Sequence, residues 1–392
     1  MRSPLSPRAP RRALRCTPPV GLRLALALAA AAGAFAAAAT PLAAQGERRT
    51  AVPAPITAAA DPGLARLEAQ FAALARVTTG SVGVTVLHLE SGRTASFQGD
   101  VAFPMASTVK VPLAVQLLTR VDRGELRLDS LIALRPEDLH PGSGTLTDLF
   151  AQPGVVLSVR NLLELMLRIS DNSATDMLLR TAGGGAAVTR RLGELGIAGV
   201  RADRSTVRLI GDYVGAEGLA GDDVTLAEFR RRAGAVSEEG RRAALARFLA
   251  DPRDTATPAA MARLLERIWR GEALGRESTA LLLDVMYRCN TGEARIRGML
   301  PPDARVAHKT GSLAPGEGIR GGRTVNDVGI VDLPGGAGHL VVAAFVKDAA
   351  DAAQAERAVA HLARAAYDYF VLAAPAGAAT RAATGAASGA GR

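Results

Sequence analysis

The chain has 392 residues, of which 48% are apolar and 4% aromatic, and its formal net charge is +9. This length allows roughly two domains, and the apolar fraction is typical of a chain that folds around a core. The first 44 residues hold six arginines and no acid, so the remainder keeps only three of the nine net charges. No basic stripe with interleaved aromatics appears in that remainder, which argues against a nucleic-acid partner.

The first 44 residues predict a secretory signal peptide. Their arginines precede or flank an apolar run, Leu24 to Ala39, which is short for a membrane span and ends in small residues. Cleavage is expected after Ala44, and Arg11-Arg12 leaves open a twin-arginine export signal. The protein is therefore expected to be exported, periplasmic or secreted, with no stable membrane insertion after cleavage.

The following elements predict an α+β fold. After a linker at 45–61, a helical pattern and a strand hairpin precede a mostly helical stretch at about 107–275. Strand patterns return from Arg305, and an amphipathic helix and a low-complexity, disordered tail at 374–392 follow. We expect one folded domain at 62–373, an antiparallel sheet flanked by helices with an inserted all-helical subdomain. A site is expected at the junction, where clefts form.

Cysteine and histidine usage argues against disulfides and metal sites. Cys16 lies in the predicted leader, so Cys289 is the only cysteine of the mature chain and no internal disulfide is expected. The five histidines show no metal-ligand spacing, and no glycine-rich phosphate loop is present. We expect a monomer that needs no cofactor.

Lysine is rare in this chain. Of its 47 basic residues only Lys110, Lys309 and Lys347 are lysines. A desolvated lysine can lose its proton and act as a base, which arginine cannot do in proteins. Ser107 lies three residues before Lys110, so on a helix the amine could activate the hydroxyl as a nucleophile. The alternative is an ordinary exposed helix that carries a serine and a lysine.

Two further motifs follow in chain order. Ser170-Asp171-Asn172 lies between two helical patterns, and Lys309-Thr310-Gly311 lies in a late strand. Taken singly, the first could be a helix cap and the second a charge on an edge strand. The ordered trio S-x-x-K, S-D-N and K-T-G is the signature of class A β-lactamases and penicillin-binding proteins. The mature chain resembles the class A family over most of its length.

This resemblance implies the chemistry of acyl transfer. Ser107 would be the acylated nucleophile and Lys110 its base, while Ser170 would relay a proton to the leaving nitrogen. Backbone N–H groups of Ser107 and Ser312 would form the oxyanion hole.

The resemblance also implies a small-molecule substrate, a β-lactam or a D-Ala peptide. Asn172 would hydrogen-bond the amide side chain of the substrate. The segment Asn290 to Pro301 is similar to that of carbapenemase-like members, which places Arg295 with Lys309 and Thr310 at the substrate carboxylate.

The resemblance breaks at the residue that activates the deacylating water. Class A enzymes carry an omega-loop glutamate, and a gapless count from Ser170 places their Asp-Arg-aromatic-Glu stretch on Asp203 to Thr206. Arg204 could still pair with Asp254 to pin the loop. A threonine hydroxyl is too weakly basic to replace the glutamate. The substitute carboxylates, none in matching context, are Asp212, Glu217, Asp222 and Asp223.

The segment after Thr206 is also longer than the family's loop. Residues 207–250 form an expected insertion, in which Leu226 to Ala250 has the pattern of a helical hairpin. The missing glutamate leaves three functions open. They are a β-lactamase with another base or slow turnover, a D-Ala-D-Ala peptidase or other acyl-serine amidase or esterase, and a penicillin-binding non-enzyme that retains the acyl group.

Overall fold

The computed structural model describes residues 55–150, 152–216, 223–316 and 319–373. The predicted signal peptide, the predicted linker up to residue 54 and the predicted tail lie outside the described residues. Within the described part of the chain, no helix is long and apolar enough to cross a bilayer.

The described residues form both strands and helices, as expected of an α+β fold. The strands are β1 (Ser81–His88), β2 (Thr94–Phe97), β3 (Phe103–Pro104), β4 (Leu131–Ala133), β5 (Val156–Ser158), β6 (Thr255–Ala256), β7 (Val306–Leu313), β8 (Arg323–Asp332) and β9 (His339–Ala349). The α-helices are α1 (Pro62–Leu74), α2 (Lys110–Asp122), α3 (Leu146–Leu149), α4 (Val159–Arg168), α5 (Asn172–Thr181), α6 (Gly185–Glu194), α7 (Thr206–Val214), α8 (Leu226–Ala235), α9 (Glu238–Ala250), α10 (Pro258–Trp269), α11 (Arg276–Tyr287) and α12 (Ala352–Leu372).

Five strands form one antiparallel sheet in the order β2-β1-β9-β8-β7. Strands β8 and β9 are buried along nearly their whole length, as continuous apolar runs predict for a sheet covered on both faces. Helices α1 and α12 pack on one face, where Phe71 and Leu362 share an apolar core with Val84 of β1. The other face packs on the helical part of the chain. The predicted α+β architecture is confirmed.

Helix α2 is the centre of the helical part. Its apolar side chains are buried on every side, which is expected of a helix surrounded by others rather than lying on a surface. The helical part extends further along the chain than the sequence pattern indicates, because α11 continues it to Tyr287. Gly275 is the N-cap of α11 rather than the end of the helical block.

The expected insertion at 207–250 holds most of α7 and two further helices, α8 and α9, which lie where the periodicity predicts a helical hairpin. Helix α9 packs on α7, where Leu245 and Phe248 of α9 form a small apolar cluster with Leu209 and Tyr213. The rings of Tyr213 and Phe248 meet edge to face, 5.1 Å between centroids. Helix α9 therefore supports the helix that follows Ser205.

Candidate active site

Ser107 lies in a single 3₁₀ turn, Ala106–Val109, directly before α2. Ala106 has a positive φ of 46°, a conformation that costs a non-glycine residue about 1–3 kcal/mol and is typically found at functional sites. Asn326 of β8 holds this strained segment, since its Nδ2 donates to the carbonyls of Pro104 at 2.8 Å and Met105 at 3.0 Å. The nucleophile candidate is thus fixed from the sheet side.

Lys110 is buried at the start of α2, one 3₁₀ turn after Ser107. Its Nζ hydrogen-bonds the Ser170 carbonyl (2.7 Å), Ser170 Oγ (3.0 Å) and Asn172 Oδ1 (2.9 Å). Burial, and then the charge of Lys309, hold the pKa of Lys110 well below its ordinary value, although nearby aspartates act in the opposite direction. Lys110 therefore reaches the neutral form that a general base requires at a lower pH than an ordinary lysine does.

Ser170 lies between the two lysines. Lys309 Nζ donates to Ser170 Oγ at 3.0 Å and to the Thr310 carbonyl at 2.7 Å. Burial lowers the pKa of Lys309 to about 8. When Lys110 is neutral, the Ser170 hydroxyl is the one of its three partner groups that can donate to it. The arrangement therefore forms a proton path from Lys309 through Ser170 to Lys110.

The second motif is a helix cap as well as a lining of the site. Asp171 caps α5 by accepting from the N–H of Ala174, and its other oxygen accepts from the N–H of Thr145 and of Leu146. These bonds hold Ser170, whose φ is +61°, at the turn between α4 and α5. The motif is thus a helix cap and, at the same time, places Ser170 and Asn172 at the site.

Strand β7 lies at the sheet edge and passes very close to the Ser107 turn. A β-carbon on Gly311 would lie 2.6 Å from the Met105 carbonyl oxygen and 3.1 Å from the Ser107 nitrogen. Only glycine permits this approach, which brings the backbone around Ser312 beside that of Ser107. Two such N–H groups are the parts from which an oxyanion hole is built.

Arg295 packs along the outer end of β7. Its guanidinium donates to Ser312 Oγ at 2.6 Å and to Glu356 Oε1 at 3.1 Å, and also to the carbonyls of Gly311 and Asn326. The side chain is nearly buried, so these bonds fix its position. The Arg295 cation and the hydroxyls of Thr310 and Ser312 therefore line one end of the site, and the buried Lys309 lies close by, which suits an anionic group.

One cavity of about 410 Å³ joins these groups. Seven of the eight residues predicted for the site line it, namely Ser107, Lys110, Ser170, Asn172, Arg295, Thr310 and Ser312. The eighth, Lys309, reaches the same place through its bond to Ser170 Oγ. The structure therefore brings all eight together.

The loop before α7 is pinned as the sequence predicts. Arg204 Nε donates to Asp254 Oδ2 at 2.6 Å, and the backbone N–H groups of Asp203 and Arg204 donate to Asp254 Oδ1. Burial raises the pKa of Asp254 in spite of this pairing. Thr206 then begins α7 and lines the cavity, where the same helix presents apolar side chains such as Leu209 and Ile210.

The two substitute carboxylates that the structure describes, Asp212 and Asp223, do not line the cavity. Asp212 is half-exposed and pairs with Arg204 and Arg253, while Asp223 is exposed and pairs with Arg135. Glu217 and Asp222 lie outside the described residues. Among the described lining residues, Asp254 is the one carboxylate, and it is bonded to Arg204.

Three supporting residues were not predicted. Asn326 clamps the nucleophile segment, Glu356 holds Arg295, and Thr291 Oγ1 hydrogen-bonds Thr310 Oγ1 at 2.6 Å. The polar pair Asn326-Asp327 inside an otherwise apolar strand was a usable signal for the first. Thr291 lies in the segment Asn290 to Pro301, but no sequence pattern indicates its bond to Thr310, and none links Glu356 to the motifs.

Comparison with known proteins finds β-lactamases. Residues 66–370 match the model of the β-lactamase enzyme family. β-Lactamase L2 of Stenotrophomonas maltophilia is 32% identical over 79% of this chain and 86% of its own. A solved β-lactamase from Chitinophaga pinensis is 30% identical, covers 77% of this chain and 98% of its own, and has a TM-score of 0.63. An ancestral class A β-lactamase is 33% identical over 77% of this chain and 99% of its own, with a TM-score of 0.61.

The site thus combines a buried lysine one turn from a serine, a hydroxyl between two amines and a glycine that allows the edge strand to approach. The chain that carries it is similar to β-lactamases along most of its length. The protein belongs to the β-lactamase enzyme family, as a serine hydrolase of the class A type.

Proposed function

We propose that the protein is an exported serine β-lactamase that opens the β-lactam amide through an acyl-enzyme on Ser107 and releases the acyl group slowly. The observation that carries this proposal is the cavity that joins Ser107 to the buried Lys110 and to a hydroxyl held between two lysines. Export rests on the predicted leader at 1–44.

Acylation follows from these contacts. Neutral Lys110 takes the proton of Ser107 Oγ as that oxygen attacks the lactam carbonyl, and the N–H groups near Ser107 and Ser312 stabilise the oxyanion. As the C–N bond breaks, Ser170 gives its proton to the leaving nitrogen and receives one from the Lys110 ammonium. Lys309, Thr310 and Arg295 hold the substrate carboxylate, and Asn172 holds the side-chain amide.

Deacylation is the weak step. Hydrolysis of the ester needs a base for water. The cavity is lined by an apolar face of α7 and by Thr206, which the gapless count assigns to the position of the family's glutamate. Losing a general base typically costs about 10²- to 10⁴-fold in rate. Lys110, neutral again after acylation, is the remaining group that can accept the proton of water.

The lining of the cavity by Thr206 and an apolar helix face also favours a second candidate function. A penicillin-binding protein without turnover is expected to form an acyl-enzyme that deacylates poorly. The related alternative is an enzyme that uses the same residues to cleave D-Ala-D-Ala peptides or another amide or ester. The apolar α7 face favours both over rapid lactam hydrolysis.

Three measurements on purified protein separate these functions. Steady nitrocefin hydrolysis that disappears in Ser107→Ala supports the β-lactamase. Intact mass after penicillin addition detects the adduct: a stable adduct without turnover supports the non-enzyme, and release of D-Ala from a D-Ala-D-Ala peptide supports the peptidase. No adduct and no turnover of any of these substrates would refute the acyl-serine mechanism.

A further inference from the structure

A second polar cluster lies buried behind the carboxylate end of the cavity. His308 and Thr310 are two residues apart on β7, so their side chains share a face of the strand. Cys289, at the end of α11, and Asp327 of β8 pack around His308 on that face. All three are at most 3% exposed, and the acyl-transfer steps use none of them.

Asp327 and His308 form the charged part of this cluster. His308 Nδ1 is 2.9 Å from Asp327 Oδ1, and Asp327 Oδ2 accepts from the N–H of Ile296. Burial lowers the pKa of His308, but Asp327 and then the Cys289 thiol outweigh it and raise that pKa to about 10. His308 is therefore a buried cation at neutral pH.

Cys289 responds to this cation. Burial raises the pKa of its thiol, yet the interaction with His308, helped by Lys309 and Thr291, lowers the pKa to about 7. The thiol and the thiolate are thus both populated near neutral pH, inside the protein and without direct access to the cavity.

A short hydrogen-bond chain leads from Cys289 to the cavity wall. Cys289 Sγ lies 3.3 Å from Thr291 Oγ1, which lies 2.6 Å from Thr310 Oγ1. Thr291 and Thr310 both line the cavity. Each hydroxyl has one proton, so the direction of the chain determines which groups donate.

The two protonation states of Cys289 require opposite directions. A thiol can donate to Thr291, which donates to Thr310, and the Thr310 proton then points to the substrate carboxylate. A thiolate is only an acceptor: it takes the proton of Thr291, and the short contact to Thr310 then requires Thr310 to donate inward. In that state Thr310 turns a lone pair toward the carboxylate, which is repulsive.

We propose that Cys289 is a positioning residue that sets the proton direction of the Cys289–Thr291–Thr310 chain, and thereby the affinity of the site for the substrate carboxylate. This inference rests on the proposed function, because it assigns the carboxylate to Thr310. The tight complex is the one in which Cys289 is a thiol.

Other charged groups near the chain also titrate or act on it. Lys309, which faces Cys289 from β7, has a pKa of about 8. Arg295 and Asp327 face Lys309 in turn. His308 stays charged until a higher pH. Loss of the Lys309 charge weakens anion binding too. A variant that removes only the titration of Cys289 keeps these groups, so the difference from wild type isolates the thiol.

The test is the pH dependence of the complex that precedes acylation. The concentration dependence of the nitrocefin burst gives its dissociation constant separately from the acylation rate. From about pH 6 to about pH 8 we expect the wild-type constant to rise about tenfold. In Cys289→Ser, which cannot ionise but can donate to Thr291, we expect a rise of about threefold or less, from Lys309 alone. The acylation rate constants should change equally in both proteins.

Thr291→Val provides the second variant, since it cuts the chain while keeping Cys289. Its dissociation constant should be higher than that of wild type at about pH 6 and should show only the shallower, Lys309-dependent rise. A wild-type constant that does not rise, or equal rises in wild type and Cys289→Ser, overturns the inference while acylation of Ser107 still stands. No burst in wild type overturns the inference together with the proposed function.

Discussion

Lys110 and Lys347 occupy contrasting environments. Lys110 is buried among hydrogen-bond partners in the cavity, whereas Lys347 lies on β9 outside it, donates to the Ala102 carbonyl and packs over the Phe103 ring. One fold therefore holds a lysine that must lose its proton and one that needs only its charge. An arginine can replace the second but not the first.

We expect Lys110→Arg to abolish acylation of Ser107 and Lys347→Arg to leave its rate near that of wild type. In wild type the rate should increase with pH through the lowered pKa of Lys110, because only the neutral amine can accept the serine proton. Intact mass after penicillin addition measures both, and thermal unfolding checks that both variants fold. An adduct on Lys110→Arg that forms at the wild-type rate contradicts the role of Lys110 as base.

Thr206 is the residue at which we propose that this chain departs from its family. The Arg204–Asp254 pair supports the gapless count that places Thr206 at the glutamate position. We expect Thr206→Glu to shorten the lifetime of the Ser107 adduct by about 10²- to 10⁴-fold, the usual contribution of a general base. Arg208→Glu, which places an acid on the exposed face of the same helix, should leave that lifetime unchanged. An unaltered lifetime in Thr206→Glu would mean that the count misplaces the loop.

At the scale of elements, the loop before α7 depends on one buried ion pair. Asp254 satisfies two backbone N–H groups as well as Arg204, and its own φ is positive at +53°. The pair joins the two ends of the segment that contains α7, α8 and α9. Removing one partner of a buried pair leaves the other charge desolvated.

Asp254→Ala should therefore lower the free energy of unfolding by about 3–5 kcal/mol. Asp212→Ala removes an exposed partner of the same arginine and should cost at most about 1 kcal/mol. Urea unfolding of the two variants measures both. Equal losses would show that burial of Asp254 does not determine the stability of this loop.

At the scale of the whole molecule, α1 and α12 close one face of the sheet from opposite ends of the described chain. Phe370 of α12, together with Val359 and Leu362, is buried against the strands. Loss of either helix would expose apolar side chains on this face of the sheet. The second core cannot compensate for that exposure, because it lies on the other face.

We expect a chain of residues 55–373 to melt at the temperature of the longer protein and to acylate Ser107 at the same rate. A chain that ends at Ala350 lacks α12, exposes the sheet face and should not fold cooperatively. Calorimetry on the two fragments tests this. A lower melting temperature for 55–373 would show that the core extends beyond the described residues.

Sequence reasoning reached the fold class, and it named eight residues that the structure brings to one place, because short motifs encode local geometry. Ser107 and Lys110 are one turn apart, and Asp171 is a cap within its own motif. The long-range contacts were not predictable in this way. Cys289 and His308 were each considered alone, although the fold places them together, and Gly311 was part of a motif without any indication that Ser107 approaches it. Such contacts depend on packing between distant elements, which no local period describes.

The central position of β9, between β1 and β8, has a consequence for biosynthesis. While the chain emerges from the ribosome, β1 has only its hairpin neighbour β2, and its other edge stays open until β9 has been made. Such unpaired edges invite association between molecules, and pairing across so long a loop is slow. A nascent chain that stops before β7 holds Ser107 but cannot assemble a competent site, so acyl transfer begins only after synthesis is nearly complete.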